Sequence, residues 1–529
     1  MLSVIHLPED CAGSPIFPEF GSAAAAAVAP IVTLSATKAV DVHKLSARSR
    51  CEPQKLMLHN VAVDLSCNSD SYELAWVMTK ILAFTSPAKG HLYPIAPVLA
   101  ELVKRGHDVT VMTLPGSEKA LDPLGVDVIE LPARLAQDTL DDWAATSKIG
   151  ALRAAVRALV ARIPDEIAAI RGAVRAERPD ALLVDVTTVG AQTYAAASGL
   201  PWASWAPMLL PIRSREVPPF GPGLHPMPGP LGRLRDGGVQ WVLNRLWDDM
   251  LPALNDARRQ YGLAALDHAL DYLEQPALLL NFTAPPFDDE RSDWPASVRQ
   301  IGPGLWAPGG ERPGWLDEID RPLALVTCST EFQDDGRLAQ AAMDALADSE
   351  LFTVVTTGAI DPATFRAPPN ARVESFLPHH LLLDRTAVVV SHGGMGITQK
   401  ALAAGVPVCV VPFGRDQSEV ARRVVTNEAG TWVPKKRMSV SNLRTAIDRA
   451  LTCQAGAERV AAGFAAAGGA AHGADLLERQ LFRAGNRGAA MRSVPRVVRR
   501  TESATFPAIT PGEMEPLVRG DTEDARGLT

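Results

Sequence analysis

The sequence predicts an α/β protein made of two doubly wound, parallel-sheet domains facing each other across a cleft. Three observations predict it. At 529 residues the chain is too long for one ordinary core. With 47% hydrophobic and 21% charged residues it can bury the interiors that two domains need. Short apolar segments also alternate with helix-length amphipathic ones, beginning near residue 80 and again near Pro322. The same composition excludes other classes. A net charge of −8 argues against a nucleic-acid partner. No run of about 18 apolar residues offers a membrane span. The six cysteines (Cys11, Cys51, Cys67, Cys328, Cys409, Cys453) form no C-x-x-C pair, so neither a metal site nor a disulfide scaffold is expected, and a reducing cytoplasm fits.

Residues 1–77 stand apart. They hold three cysteines and the Ala23–Ala27 run, without a sustained period of 2 or 3.6. Met78 directly precedes the first strong strand. Two readings stay open for 1–77: a disordered tail, or an extension upstream of a translation start at Met78. Residues 78–283 read as the first domain. Ile81–Phe84 is its first strand, and a turn-rich loop from Thr85 to His91 follows. Ile95, Val98, Leu99, Leu102 and Val103 then mark one buried helix face, which Gly106 ends. Val109–Met112 and Val126–Leu131 are the next strands. A long Ala- and Arg-rich helix spans 146–177, and Ala181–Asp185 is a buried strand ending in a carboxylate. The Pro- and Gly-rich stretch 206–238 is long enough to be functional or mobile.

Residues 284–321, rich in Pro, Gly and Trp, read as the connection between domains. Residues 322–483 read as the second domain. Its strands are Leu323–Thr327, Phe352–Thr356, Ala387–Ser391 and Val408–Pro412, with helices over 337–347, 395–404, 416–427 and 440–452. Residues 484–529 are Arg-, Pro- and Glu-rich without periodicity and read as a disordered tail. Ligands of such sheets bind beyond the carboxyl ends of the strands, where His91, Asp185 and His392 fall.

The chemistry concentrates in one stretch. The strand ending at Ser391 runs into His392-Gly393-Gly394-Met395-Gly396-Ile397-Thr398, a glycine-rich turn opening a helix. Free N–H groups and the positive end of the helix dipole make such a turn a diphosphate cradle, to which His392 adds a donor. A tight packing turn would have the same pattern. No G-x-G-x-x-G follows a strand, and there is no G-K-[ST] loop. Gly405-Val406-Pro407 and Pro412 lead to Asp416-Gln417 at a strand's end. A carboxylate and an amide there can bracket the vicinal hydroxyls of a sugar, though a helix-capping Asp with a solvated Gln would look alike.

Together, His392-Gly393-Gly394, Gly405-Val406-Pro407, Pro412 and Asp416-Gln417, with Gly90-His91 and Pro94 near the start, resemble the large nucleotide-sugar glycosyltransferase family. That family includes plant secondary-product glycosyltransferases, glucuronosyltransferases and bacterial macrolide glycosyltransferases. The resemblance covers roughly 78–455 and implies the GT-B fold, with the acceptor on the first Rossmann-like domain and the nucleotide sugar on the second. It implies His91 as the general base and Asp185 as the carboxylate that orients it. It implies Thr327, Ser329, Thr330, His392, Gly393, Gly394, Gly396 and Thr398 around the diphosphate, Phe376 and His379 toward the base, and Asp416 and Gln417 on the sugar. Lys400 stands where many uridine-sugar users carry a ribose-binding glutamate. A lysine only donates, so UDP and dTDP donors both stay open. Trp143, Trp202, Trp205 and Met208 are the acceptor-side candidates, fitting a small, largely apolar alcohol such as a polyketide, macrolide or glycolipid precursor, though the tryptophans could equally be core residues. Inverting transfer is implied, with the nucleotide-diphosphate sugar as co-substrate and neither cofactor nor metal, since no D-x-D motif occurs. The expected setting is cytoplasmic, with peripheral contact at the inner membrane face as a further expectation. A non-catalytic helper of another transferase, or a dinucleotide-dependent oxidoreductase, are the competing readings.

Overall fold

The computed structural model describes residues 78–138, 145, 147–329 and 333–482. Nearer the N-terminus it gives four short strands, Leu2–Ser3 antiparallel to Leu34–Ser35 and Gln54–Leu58 antiparallel to Val61–Leu65. The remainder of 1–77 and the tail from 483 lie outside the described residues.

The first domain is built on β1 (Lys80–Phe84), α1 (Lys89–Lys104), β2 (Asp108–Thr113), β3 (Asp127–Glu130), α2 (Lys148–Glu177), β4 (Ala181–Asp185), α3 (Val189–Ala197), β5 (Trp202–Ala206), α4 (Gly229–Trp247), α5 (Leu251–Gln260), β6 (Leu279–Asn281) and β7 (Val298–Gln300). Its seven strands lie in the order β7-β6-β5-β4-β1-β2-β3, and every pair is parallel. The strands are continuous apolar runs because helices cover both faces. Ile95, Val98, Leu99 and Leu102 of α1 are fully buried on one face, as their spacing demands. Gly106, at φ +90°, ends α1 in the left-handed conformation.

The second domain follows the same plan: β8 (Leu323–Thr327), α6 (Gly336–Leu346), β9 (Phe352–Thr356), β10 (Ala371–Glu374), β11 (Thr386–Ser391), α7 (Met395–Ala403), β12 (Val408–Val410), α8 (Gln417–Thr426), β13 (Gly430–Trp432), α9 (Val440–Ala450), α10 (Gln454–Ala466) and α11 (Gly469–Leu477). Its sheet order, β10-β9-β8-β11-β12-β13, is again wholly parallel. In both sheets the chain winds outward from a central strand, then returns and winds the other way. The crevice between β1 and β4, and that between β8 and β11, are therefore the switch points at which ligands bind.

Three expectations need correction. His91 does not sit in a loop; the helix begins at Lys89 and takes His91 into its first turn. The stretch 284–321 is not all connection, because β7 lies in it and completes the edge of the first sheet. Nor does the second domain run on to 483: Ala474, Leu476, Leu477 and Leu481 join the buried cluster of Ile95, Val98 and Leu102 in the first domain. The cause is apolar pairing. Gly473 lies so close to Ile301 and Val98 that a Cβ would meet their methyl carbons at 2.9 and 3.3 Å.

Candidate active site

The first switch point carries a histidine–carboxylate pair. Asp185, the last residue of β4, is fully buried and lies 2.8 Å from His91 Nδ1. Its other oxygen accepts the Thr187 N–H at 2.8 Å and the Thr187 hydroxyl at 2.7 Å. Burial acts to raise the Asp185 carboxyl. The His91 ring and the Thr187 donors outweigh it and hold the carboxyl below its ordinary value. An ionised carboxylate only accepts, so Nδ1 carries the ring proton and, in the neutral ring, the lone pair lies on Nε2. The strand end is itself clamped. Thr188 Oγ1 and Gln192 Nε2 both donate to the Asp185 carbonyl, at 2.8 and 3.1 Å. Below it, the buried Glu166 accepts the Gly190 N–H at the start of α3 at 2.8 Å.

The second switch point is a polar hollow. Thr327 ends β8 beside Ser391, which ends β11. Gly393, at φ +91°, turns the chain, and a Cβ there would lie 2.7 Å from Val410; one on Gly394 would lie 2.6 Å from the His392 ring. Both glycines are thus set by close approach, and α7 opens directly behind them. The first N–H groups of α7 have no acceptor within the helix. Around them, Thr327 Oγ1, Thr398 Oγ1 and His392 Nδ1 are buried with no hydrogen-bond partner. Such an orphan costs about 1–3 kcal/mol unless a ligand satisfies it. Three at one strand-to-helix turn mark a place built for a polar guest. Burial, with Arg415 nearby, pushes the His392 imidazole down to about 4, so it is neutral near pH 7. Asp335, whose oxygen accepts the Ser329 N–H at 2.6 Å, lies 3.4 Å from His392 Nδ1.

Further along α7, Lys400 lies on the same face as Gly396, one turn on. Burial lowers its ammonium to about 8. Its charge acts on His379, which burial first and Lys400 next push down to about 3; the His379 Nε2 lies 3.1 Å from Thr356 Oγ1. Phe376 is 56% exposed, which leaves its ring face open.

Asp416 and Gln417 stand at the start of α8, and Gln417 departs from the expectation. Gln417 is occupied within the protein: its Oε1 accepts from Phe413 N and Gly414 N, and its Nε2 donates to Gln333 Oε1 at 2.6 Å. Gln333 in turn donates to Ser329 Oγ at 2.9 Å. The Asp416 carboxyl is raised by burial, while Arg415 and the His91 ring of the other domain pull it down. His91 of the first domain is thus near enough to Asp416 of the second for their charges to interact. Two other candidates move to the core. Trp205 is fully buried in β5, packed among Ile81, Ala83 and Phe282, and Trp202 is buried with Phe84 and Leu182. The strand alternates its side chains between two covered faces, so neither ring reaches the cleft. Met208 is half-buried against Leu210 and Ile212. Trp143 and Thr330 lie outside the described residues.

A latch joins the domains beside this site. Glu419, in the first turn of α8, accepts the N–H groups of Gly221 and Gly223 at 2.8 and 2.7 Å. Its other oxygen pairs with Arg423 at 2.8 Å, and Arg423 pairs with Asp288 at 2.9 Å. Gly223, at φ +71°, packs so tightly that a Cβ would lie 2.5 Å from the Ser418 carbonyl. Lys148 Nζ donates to Ser418 Oγ at 3.1 Å. Asp335, Gln333 and Glu419 escaped sequence reading; only the position of Asp335, just before a helix, carried any signal.

Comparison with known proteins agrees with this geometry. Residues 340–472 match the family described as Erythromycin biosynthesis protein CIII-like, C-terminal domain. The chain is 31% identical over 385 residues to 4'-demethylrebeccamycin synthase of Lentzea aerocolonigenes, covering 70% of this chain and 90% of that protein. The chain belongs to this glycosyltransferase family. A PGL/p-HBAD biosynthesis rhamnosyltransferase of Mycobacterium bovis is 31% identical over 308 residues, covering 54% of this chain and 61% of that one. Among solved structures, the calicheamicin glycosyltransferase CalG4 superposes with a TM-score of 0.61 at 22% identity, covering 77% of this chain and 99% of that chain. The spinosyn rhamnosyltransferase SpnG, complexed with thymidine diphosphate, superposes with a TM-score of 0.58 at 17% identity, over 75% of this chain and all of that one. The glycosyltransferase thus has the GT-B fold.

Proposed function

We propose that this glycosyltransferase moves a sugar from a nucleotide diphosphate, UDP or dTDP, to a hydroxyl of a small, largely apolar acceptor, with inversion at the anomeric carbon. The observation that carries the reading is the buried Asp185 holding His91 at 2.8 Å, opposite the hollow of orphaned donors on the second domain. His91 Nε2 takes the acceptor's proton as its oxygen attacks the anomeric carbon. The bond from that carbon to the phosphate oxygen breaks, and the nucleoside diphosphate leaves from the opposite face. Asp185 stabilises the resulting imidazolium. The leaving charge is met by the α7 N-terminus, Thr327, Thr398 and His392. Asp416 accepts from the sugar hydroxyls. No metal-binding step is needed for this charge balance. The polyketide, macrolide or glycolipid class of acceptor is supported by what the relatives' names say they make.

For the donor, dTDP is the better supported of the two. SpnG takes thymidine diphosphate on this fold, and Lys400 only donates, so it cannot accept from two ribose hydroxyls as a carboxylate does. Calorimetric titration with UDP, dTDP, GDP and NAD tests the donor site. Binding of dTDP or UDP alone is expected; binding of NAD alone would overturn the reading. NMR of the product from an α-linked donor then tests inversion, a β-glycoside being expected and an α-glycoside contradicting it.

A further inference from the structure

His392, like His91, has a carboxylate behind it. Asp335 stands at the N-cap position of α6, where an aspartate ordinarily accepts the first N–H groups of the helix, yet its side chain makes no capping bond there. It is 1% exposed and turned inward. Its Oδ2 accepts the Ser329 N–H at 2.6 Å and lies 3.4 Å from His392 Nδ1. Among the described residues, His392 is the one basic group within ion-pair distance of it. The far edge of the ring lies over the glycine turn. A Cβ on Gly394 would meet His392 Nε2 at 2.6 Å, and α7 begins with the next residue. The imidazole thus spans from a buried carboxyl group to the first N–H groups of α7.

This pair differs from His91 and Asp185, whose bond is made at 2.8 Å. His392 Nδ1 has no hydrogen-bond partner, although both side chains are buried. A buried acid beside a buried base, with the bond between them unmade, has a charge state that a ligand can change. Few other charges act on it. Arg415, just before α8, opposes a positive ring. Burial and Asp334 oppose ionisation of Asp335, while the Ser329 N–H and Lys435, beyond β13, favour it. Burial and then Asp335 raise the Cys328 thiol at the end of β8, so it stays neutral. A neutral imidazole has one N–H. Given to Asp335, it leaves none for a phosphate oxygen, so a ring that serves both must be an imidazolium. The inference rests on the donor reading above. We propose that Asp335 is a positioning residue for His392: as the nucleotide sugar binds, the ring takes a second proton from solvent, shares one with Asp335 through Nδ1 and donates the other from Nε2 to the diphosphate.

The probes are dTDP-glucose and UDP-glucose. Both phosphates of each are esterified, so the ligand itself gains or loses no proton near neutral pH. Nitrogen NMR of the full chain labelled with 15N-histidine reads the ring directly, and the signal lost in His392→Gln assigns it. Near pH 7 a neutral ring is expected without ligand and an imidazolium with it. Asp335→Asn keeps an oxygen for the Ser329 N–H. It should bind the sugar nucleotide about tenfold more weakly and leave the bound ring neutral. In the His392→Gln background the same substitution should change affinity by less than about twofold, because no ring remains to be held. A neutral ring in the parent complex would overturn the proposal, whether or not Asp335→Asn folds. So would an equal tenfold loss in both backgrounds, which would make Asp335 a structural residue of its turn. A parent chain that binds neither sugar nucleotide would sink the donor reading itself, and this inference with it.

Discussion

At the scale of single residues, the proposed reaction assigns proton transfer and donor binding to different side chains, and the two can be tested apart. His91→Ala should lower the rate of transfer about a thousandfold or more while dTDP affinity stays within about twofold. Asp185→Asn keeps the shape but removes the charge that fixes the ring, so a comparable loss is expected, with the acid limb of the pH–rate profile displaced. His392→Ala should do the reverse, weakening the diphosphate about tenfold. Lys400 makes a pH prediction. Its ammonium is lowered to about 8, so the charged form prevails below that pH and the neutral form above it. If the ammonium donates to the donor's sugar, dTDP affinity falls as pH rises through about 8, and Lys400→Met flattens the profile. A parallel fall in both proteins would make the lysine a bystander. Glu166 has the opposite sign. Burial raises its carboxyl to about 8 against an ordinary 4.5, so its favourable contribution is full below 4.5 and is lost as pH climbs toward 8. Glu166→Gln should therefore raise the melting temperature at pH 8 relative to the parent, and leave the two nearly equal at pH 5.

At the scale of elements, the strand-to-helix turns were legible because the pattern that makes them also makes their chemistry. A buried run ending in Ser391, two glycines and a helix is at once a fold signal and the pattern expected of an anion site. The sequence likewise placed α6, α7, α8 and α9 within a residue or two. Where the reading failed, the cause was specific. Trp202 and Trp205 looked like pocket residues because a five-residue strand, Trp-Ala-Ser-Trp-Ala, carries no β-branched residue to announce it. β7 was hidden among prolines. Gln417 looked like a sugar ligand because no sequence pattern shows that Phe413, Gly414 and Gln333 already use its amide. Glu419 was invisible because its partners are backbone N–H groups some 196 positions away. Its latch can be opened from either side. Glu419→Ala removes the acceptor, and Gly223→Ala forces the loop off the Ser418 carbonyl. Each should raise the acceptor KM about tenfold while leaving dTDP affinity within about twofold. A fall in melting temperature without a change in KM would make the latch merely structural.

At the scale of the molecule, the C-terminal helix is what binds the two sheets into one body. Arg105 Nη1 donates to Asp475 and Glu478 at 2.7 and 2.8 Å, and His107 Nε2 lies 3.2 Å from Glu478. Burial acts to raise the Glu478 carboxyl, but the His107 and Arg105 bonds prevail and lower it. The stabilisation from this group is present above its unfolded value and is lost as pH falls through the depressed one. Glu478→Ala should cost about 2 kcal/mol of stability near neutral pH, and less in acid, as read by denaturant unfolding. The return of the chain also sets the rules for recombination among relatives. A chimera that exchanged donor halves with a single junction near residue 320 would mate a foreign C-terminal helix to the native α1, mismatching Gly473 against Val98 and Glu478 against Arg105. Swapping sugar specificity therefore takes two junctions, one before β8 and one between α10 and α11, so that the excised cassette leaves the last helix with the half it completes.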